Sequence, residues 1–167
     1  ITVGNGSLGM KTDGTGSALI NTGTVTAGAN SVGMYGKDSL RLINMVPGVI
    51  NGSSQETVGM YLNTANTGTM INAGIIDLSG DKSRGIYAEG TGIKTISNTG
   101  TIKIGDSSDT GNPGIGIYSK TAGDTITNNG TITSGINSIG IYSYGGTVDQ
   151  NSVITTGGTG VYADSAT

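Results

Sequence analysis

A Gly-Met/Ile/Val-Tyr tripeptide returns at a nearly constant interval along this chain. Six copies follow a degenerate first copy, Gly9-Met10-Lys11, and they begin at Gly33, Gly59, Gly85, Gly116, Gly140 and Gly160. The spacings between successive glycines are 24, 26, 26, 31, 24 and 20 residues. Repetition at a period of about 20 to 50 residues is typical of stacked-repeat architectures. The repeat therefore limits the possible folds more strongly than any other property of the sequence.

A second motif, apolar-x-Asn-x-Gly-x-apolar, recurs in phase with the tripeptide. Its asparagines are Asn21, Asn44, Asn72, Asn98, Asn128 and Asn151. The copy from Asn44 carries two extra residues, and the copy from Asn151 is shortened by one. In the last copy the position two residues before the asparagine holds Asp149, with Val148 beside it.

Composition agrees with many short strands joined by tight turns. Glycine contributes 32 of 167 residues. Unpatterned glycine-rich chains of low hydrophobicity stay disordered, but here the apolar residues are periodic. We expect residues 1–167 to form a single continuous domain. Because the chain begins and ends inside repeats, without the atypical ends that cap stacked repeats, we expect it to be a segment of a longer protein.

Alternation of apolar and polar residues favours strands over helices. In Val58-Gly59-Met60-Tyr61 we expect Val58 and Met60 on one face and Gly59 and Tyr61 on the other. No single strand is long enough to bury its apolar face, so the repeats must stack. The sequence predicts an all-β parallel β-helix (solenoid) of about six to seven coils, each of roughly 20–31 residues.

Stacking turns each apolar repeat position into a column through the interior. One predicted column is Leu19, Leu42, Met70, Ile96 and Ile126; a second is Val25, Ile50, Ile76, Ile102 and Ile132; a third is Met10, Met34, Met60, Ile86, Ile117, Ile141 and Val161. The asparagines should form an amide ladder at a corner. We expect the glycine after each asparagine to supply a positive φ there. Asp77 and Lys103 should face each other on adjacent coils.

Most familiar catalytic and metal chemistry is excluded by composition. The chain has no His and no Cys, which rules out a nucleophile–His pair and a His/Cys zinc site. A net charge of −3 offers no basic surface for nucleic acid. Carboxylates such as Asp106 and Asp109 remain as candidates for polysaccharide hydrolysis, and Asp106, Ser108 and Asp109 for calcium. We interpret them instead as solvated loop residues, and expect no enzyme activity and no cofactor.

Two surfaces are candidate binding sites. The tyrosine stripe comprises Tyr35, Tyr61, Tyr87, Tyr118, Tyr142 and Tyr162, and it either stabilises the coils or contacts a sugar or protein partner. The longest interval between glycines contains a loop near residues 105–113, which we expect to protrude and to be stiffened by Pro113. Its candidate binding residues are Asp106, Ser107, Ser108, Asp109 and Asn112. Insertions in repeat proteins map to loops on one face, often the binding face.

The repeat motif Asn-Thr-Gly-Thr-Ile followed by Gly-Ile-Tyr resembles the passenger region of bacterial autotransporters. More narrowly, it resembles the large autotransporter adhesins of fusobacteria. The resemblance covers essentially the whole chain. It implies a right-handed parallel β-helix, displayed on the cell surface and anchored in the outer membrane through a C-terminal barrel outside this sequence. It also implies a role in coaggregation, host-cell binding and virulence. It maps no binding residue onto this chain.

We therefore expect a structural stalk segment of a surface-displayed adhesin. The partners would be host-cell or bacterial surface receptors, contacted by the full-length protein. We expect no nucleic-acid partner and no direct membrane contact by this segment. Two alternatives stay open: the segment itself binds a host receptor or glycan, or it is a polysaccharide-degrading β-helix enzyme.

Overall fold

The computed structural model describes residues 1–164, which form a parallel β-helix of about six turns. Each coil contributes three strands, so the tube has three faces. All strand pairs in this part of the chain are parallel, and residues 1–164 contain no helix of the length and hydropathy needed to cross a bilayer. The predicted fold class is confirmed.

The strands fall on the three faces in strict rotation along the chain. The first face, which follows the asparagine corner, contains β1 (Thr2–Val3), β4 (Thr24–Ala27), β7 (Val49–Gly52), β10 (Ile75–Leu78) and β13 (Thr101–Ile104). The second face contains β2 (Leu8–Asp13), β5 (Val32–Lys37), β8 (Val58–Asn63), β11 (Arg84–Glu89) and β14 (Ile115–Ser119). The third contains β3 (Ala18–Asn21), β6 (Arg41–Asn44), β9 (Gly68–Asn72), β12 (Lys94–Asn98), β15 (Thr125–Asn128) and β17 (Thr147–Gln150). Two longer strands, β16 (Thr131–Tyr144) and β18 (Ile154–Asp164), turn the corner and join the first and second faces.

The core contains the predicted columns in their predicted register, with one exception: Val161, in the last coil, is 41% exposed. Leu62, Leu78, Ala88 and Ile104, which the columns did not include, are also part of the core. On the first face Ile76 lies opposite Ile50 and Ile102, and all three side chains are fully buried. Met60 lies opposite Ile86 on the second face, and Met70 opposite Ile96 on the third. Full burial of one such side chain stabilises the fold by roughly 1.5–3 kcal/mol. Stacking therefore supplies the burial that an isolated coil lacks.

The asparagine column forms a continuous ladder of side-chain hydrogen bonds. Each Nδ2 donates to the Oδ1 of the next coil at 2.7–2.8 Å, from Asn21 through Asn44, Asn72 and Asn98 to Asn128. The prediction for the sixth copy was wrong by one residue. Gln150, not Asn151, accepts from Asn128 Nδ2 at 3.0 Å, and Val148, not Asp149, lies opposite Ile126. The longer glutamine side chain continues the ladder, while Asn151 donates to Asn129 at the surface.

The glycine after each asparagine is required for a reason other than the one predicted. Positive φ values occur at six other glycines, and the corner glycines are not among them. A Cβ at Gly100 would instead collide with the carbonyl oxygen of Gly74, and one at Gly130 with that of Gly100. From Gly74 onward, consecutive coils approach too closely at this position for any side chain, whereas a Cβ at Gly23, in the first copy, would meet nothing within 4 Å.

The predicted alternation also fails at the glycine of the Gly-Ile-Tyr motif. A Cβ at Gly59 would point inward, 2.8 Å from Cγ2 of Ile76 on the first face. Gly85 repeats this relation with Ile102, at 2.7 Å. Gly59 and Met60 therefore both face the interior, and the residue before the glycine is turned outward beside the tyrosine. The absence of a Cβ lets the isoleucine of the neighbouring face fill this corner.

Register on the outer surface is confirmed by one ion pair. Asp77 and Lys103 are partners on β10 and β13, and Lys103 Nζ lies 3.6 Å from Asp77 Oδ2. Both side chains are largely exposed. An exposed pair of this kind contributes only about 0–1 kcal/mol, so its value here is as a marker of alignment.

Candidate functional site

The six tyrosines form one ladder along the outside of the second face. Their ring centroids are spaced by 4.8–5.2 Å from coil to coil. Tyr61, Tyr87 and Tyr118 are stacked with interplanar angles of 12° and 13°, whereas Tyr142 meets Tyr118 edge-on at 81°. Lys11 takes the tyrosine position in the first coil. Parallel strands in register produce this ladder, because identical repeat positions are brought one strand spacing apart.

Glu89 binds the ladder on one side. It accepts hydrogen bonds from the phenols of Tyr61 and Tyr87, the latter at 2.6 Å, and from Asn63 Nδ2 at 3.1 Å. Lys120 Nζ lies 3.7 Å from Glu89 Oε2, the oxygen that also accepts from Tyr87. This carboxylate therefore links three consecutive coils, two of them through their tyrosines.

The ionisation of this cluster follows from those contacts. Burial, and then the hydrogen bond to Glu89, raise the pKa of the Tyr61 and Tyr87 phenols. Burial alone would raise the pKa of Glu89, but hydrogen bonds from both phenols and the charge of Lys120 lower it overall. Glu89 is consequently ionised and both phenols are protonated at neutral pH.

Arg84 lies on the other side of the ladder. It occupies the position of Val58 and Ile115 in the neighbouring coils, directly before the inward glycine. Its guanidinium carbon lies 5.6 Å from the ring centroid of Tyr87 and 5.7 Å from that of Tyr118, within cation–π range. Nη2 donates to Asn112 Oδ1 at 3.1 Å, while the buried Nε has no acceptor among the described residues.

The loop at residues 105–113 is anchored to both neighbouring coils. Ser108 donates from its backbone and hydroxyl to Asp81, at 2.9 and 2.6 Å. On the opposite side, the backbone of Ile136 donates to Asp106 Oδ1 and accepts from the backbone of Ser107, both at 2.8 Å. Ser107 is buried, and exposure is confined to Asp106 and residues 108–111. Only part of the loop therefore projects from the surface.

The loop carboxylates are held apart by different partners. Asp106 accepts from Ile136, whereas Asp109 accepts from the backbone of Gly111 at 2.8 Å and lies 3.9 Å from Lys82 Nζ. The hydrogen bonds from Ser108 lower the pKa of the neighbouring Asp81. Within residues 1–164 there is no group of three or more acidic side chains placed to hold a metal ion. Asp106, Ser108 and Asp109 are each engaged by a different partner, Ile136, Asp81 and Gly111 respectively.

A groove of about 340 Å³ opens between the loop and the tyrosine ladder. It is lined by Arg84, by Thr110 and Asn112 of the loop, by Ile115 and Ile139, and by the rings of Tyr118, Tyr142 and Tyr162. Asn112 and the tyrosines were predicted as candidates. Arg84 was missed, because alternation placed its column inside the tube. The sequence feature that could have identified Arg84 is its charge, since the same position is apolar in the adjacent repeats.

A buried lysine at the corner between the second and third faces was also not predicted. Lys94 is fully buried where the preceding repeat has Gly68, and its Nζ donates to Gly90 O and Thr121 Oγ1 at 2.8 and 2.7 Å. Its backbone N–H donates to Asp124, which Ser119 also contacts. Burial lowers the pKa of Lys94 and raises the pKa of Asp124. These groups satisfy one another inside the corner and do not reach the groove.

The fold is that of a pectate lyase-like β-helix. The name of this class describes the fold and not an activity. Residues 26–134, more than half of the chain, match the BigA third pectate lyase-like domain, and the chain belongs to this family. BigA is a bacterial surface adhesin-like protein. The chain is accordingly a region of a surface adhesin-like protein of bacteria. No curated protein and no solved structure matches it.

Proposed function

We propose that this chain is a non-catalytic stalk segment of an autotransporter adhesin. In this proposal the coils hold adhesive regions of the full-length protein away from the cell, where they contact host-cell or bacterial receptors. The passenger would be anchored in the outer membrane by a C-terminal barrel outside this sequence. The family match supports a surface adhesin-like protein, and the resemblance of the repeat motif to autotransporter passengers supports the autotransporter class.

The observation that carries the stalk role is the unbroken asparagine ladder. Hydrogen bonds at 2.7–3.0 Å link every coil from Asn21 to Gln150 without a gap. A polar ladder buried inside the tube fixes the register of each coil on the next, because a slip by one residue would leave amide groups unpaired. The coils therefore behave as one stiff unit, which is the property a spacer needs.

Removal of one whole coil tests the stalk role in the full-length, surface-displayed adhesin. Deleting residues 24–48 joins Gly23 directly to Val49, the register partner of Thr24, and so preserves the stacking. We expect display and adhesion to be retained. The control removes residues 24–36, which is half a coil, and should abolish folding and display. Lost adhesion with normal display of the whole-coil deletion would show instead that the segment itself makes the adhesive contact.

The absence of catalysis is tested separately. The chain is incubated with pectins and a panel of bacterial and host glycans, and the products are analysed by mass spectrometry. We expect no cleavage, because Asp106 and Asp109 are engaged by Ile136 and Lys82 on opposite sides of the loop. A cleaved product that disappears in the Asp106→Asn or Asp109→Asn variant would establish the enzyme alternative.

A further inference from the structure

The tyrosine ladder is interrupted at the coil that carries the 105–113 loop. Tyr87 and Tyr118 are stacked at 13°, and so are Tyr142 and Tyr162 at 17°, but Tyr118 and Tyr142 meet at 81°. The groove is lined by both rings of this junction. Tyr35 and Tyr61 also meet edge-on, at 64°. The contact between Tyr118 and Tyr142 differs in lying beside the largest insertion in the repeat, and the groove is formed by the loop and these rings together.

The lining of the groove combines apolar rings with a few polar groups. Tyr118, Tyr142 and Tyr162 supply aromatic surface, with Ile115 and Ile139 between the rungs. Asn112 turns its carbonyl oxygen to Arg84, which leaves its amide nitrogen as a donor, and Thr110 adds a hydroxyl-bearing side chain to the lining. Ligand sites typically have this composition, with mostly apolar lining and a small number of placed polar groups. Sugar rings match it well, because they present C–H faces to aromatic rings and hydroxyl groups to the rim.

The charge of the groove further restricts the class of ligand that can bind there. Among the described residues, Arg84 is the one charged side chain that lines the groove. A guanidinium has five N–H donors in a planar fork that fits a carboxylate. Arg84 gives one hydrogen bond to Asn112, and its Nε has no acceptor within residues 1–164. The buried Nε cannot reach a ligand, but Nη1 and the second N–H of Nη2 have no partner among the described residues and remain as donors for an anionic oxygen pair beside an aromatic surface.

Backbone geometry disfavours a peptide ligand. Peptides that bind to sheets add as an extra strand, and this requires an unpaired strand edge. β18, which carries Tyr162 at one end of the groove, is paired with β16 alone among the described residues. The rest of the groove lies over β11, β14 and β16, which are paired in register on both edges. Only side chains are offered there, which suits a ligand recognised through ring faces, hydroxyl groups and charge.

We propose that the groove between Arg84, Tyr118, Tyr142 and the 105–113 loop binds a short saccharide that carries a carboxylate. A volume of about 340 Å³ is at the lower end for ligand sites, which restricts the bound portion to a terminal or short unit. This site goes beyond the stalk role and would lie on the segment's surface whether or not adhesion depends on it.

The test uses the whole 167-residue chain and saccharides of known structure. The carboxylated probes are 3′-sialyllactose and a hyaluronan tetrasaccharide, and the neutral controls are the carboxyl-reduced forms of the same two saccharides. Binding is measured by saturation-transfer NMR and by titration of backbone amide shifts. We expect a carboxylated probe to bind and to shift the amides of residues 110–118, while its neutral counterpart binds at least roughly tenfold more weakly, because it loses a charged hydrogen bond.

Two variants locate the site. Arg84→Gln should weaken binding of the carboxylated probe by roughly tenfold or more, whereas Lys103→Gln, which removes a positive charge from the first face, should not. Thr110→Trp fills the groove from an exposed position and should abolish binding without lowering the melting temperature. It decides the outcome even where Arg84→Gln fails to fold.

Three outcomes would overturn the proposal: no binding of either carboxylated probe at millimolar concentration, equal binding of the neutral forms, or undiminished binding by Thr110→Trp. Binding of acidic peptides in preference to the saccharides would reject the ligand class. None of these results bears on the stalk role, because the coil deletion at residues 24–48 lies outside the groove.

Discussion

Asn72 donates a hydrogen bond from Nδ2 to Oδ1 of Asn98 in the next coil, at 2.8 Å, and both side chains are fully buried. Asn98 in turn donates to Asn128 at 2.7 Å. Each asparagine therefore serves as acceptor to one neighbour and donor to the other. Because these side chains are inaccessible to solvent, the ladder must be complete for its polar groups to be tolerated.

Replacing Asn98 by Ala should destabilise the chain strongly. The change leaves the Asn128 carbonyl oxygen without its donor, at a cost of about 1–3 kcal/mol. The Asn72 amide loses its bond to Asn98 and keeps only a longer one, at 3.3 Å, to the carbonyl oxygen of Thr101. The free energy of unfolding from denaturant titration measures the loss. Asn66→Ala, at an exposed turn, is the control and should change the stability by less than about 0.5 kcal/mol. Equal effects of the two substitutions would contradict the importance of the ladder.

Substituting Asp for Ile102 should prevent folding or split the β-helix at that coil. Ile102 is fully buried between Ile76 and Ile132, and an unpaired carboxylate there is very costly. Ile75→Asp is the matched control, since Ile75 is 45% exposed on the outer side of the same face. Circular dichroism and thermal melts should show a cooperative transition for Ile75→Asp only. An unchanged melt for Ile102→Asp would overturn the assignment of the interior.

The corner glycines provide a test that separates close approach from backbone conformation. Gly100 has no positive φ, yet a Cβ there would collide with the carbonyl of Gly74. Gly23 holds the same repeat position in an earlier coil, where a Cβ would meet nothing within 4 Å. We expect Gly100→Ala to lower the melting temperature markedly and Gly23→Ala to be neutral or slightly stabilising. Similar losses at both sites would favour a conformational requirement.

The ladder hydroxyls should differ in their contribution to stability. Tyr87→Ala removes stacking on both Tyr61 and Tyr118, at a cost of roughly 1 kcal/mol in pair energy in addition to lost burial. Tyr87→Phe should also cost about 1 kcal/mol, because the phenol donates to the ionised Glu89 at 2.6 Å. Tyr118→Phe, whose hydroxyl has no such partner among the described residues, should be nearly neutral. Thermal melts of the three variants measure these differences, and a neutral Tyr87→Phe would argue against the bond.

Acid should weaken the Glu89 cluster. The pKa of Glu89 is lowered in the folded state, by the hydrogen bonds from Tyr61 and Tyr87 against the opposing effect of burial. A lowered folded pKa adds stability that is fully present above the unfolded value, about 4.3, and is lost as the pH falls through the folded value. The difference in the free energy of unfolding between wild type and Glu89→Gln should therefore become smaller as the pH is lowered from about 6 to about 3. A constant difference would show that the carboxylate is not specifically stabilised.

The interior of the β-helix was predictable because the sequence is repetitive. Once the repeats are aligned, residues at the same repeat position fall in the same column. Ile50, Ile76 and Ile102 follow a shared motif, so their register followed from alignment alone. The last coil was misaligned because its shortened copy offers Gln150 and Asn151 as neighbours, and only the longer side chain at the inward position reaches Asn128. Strand alternation failed at Gly59, since a residue without a Cβ allows two successive positions to face inward.

The candidate site, meaning the groove and the tyrosine ladder together, was only partly predictable, because its charged residues depart from the repeat. Asn112 and the tyrosines were found from an insertion and a motif. Arg84 and Glu89 stand at positions that carry other residue types in neighbouring coils, Val58 and Asn63 among them. Their partners lie one coil away at 26–28 residues in sequence, and a pattern of spacing does not reveal which side chains meet there.

Stacking in register also sets how the chain reaches its native state. Each contact between coils joins residues about one repeat apart, such as Asn44 and Asn72 at 28 residues, and this separation does not grow as coils are added. Folding rates fall as native contacts become more distant in sequence, and repeat arrays propagate structure from any folded neighbour. Growth of the β-helix is therefore a succession of similar short loop closures, and a much longer array of these coils would meet the same barrier at each step.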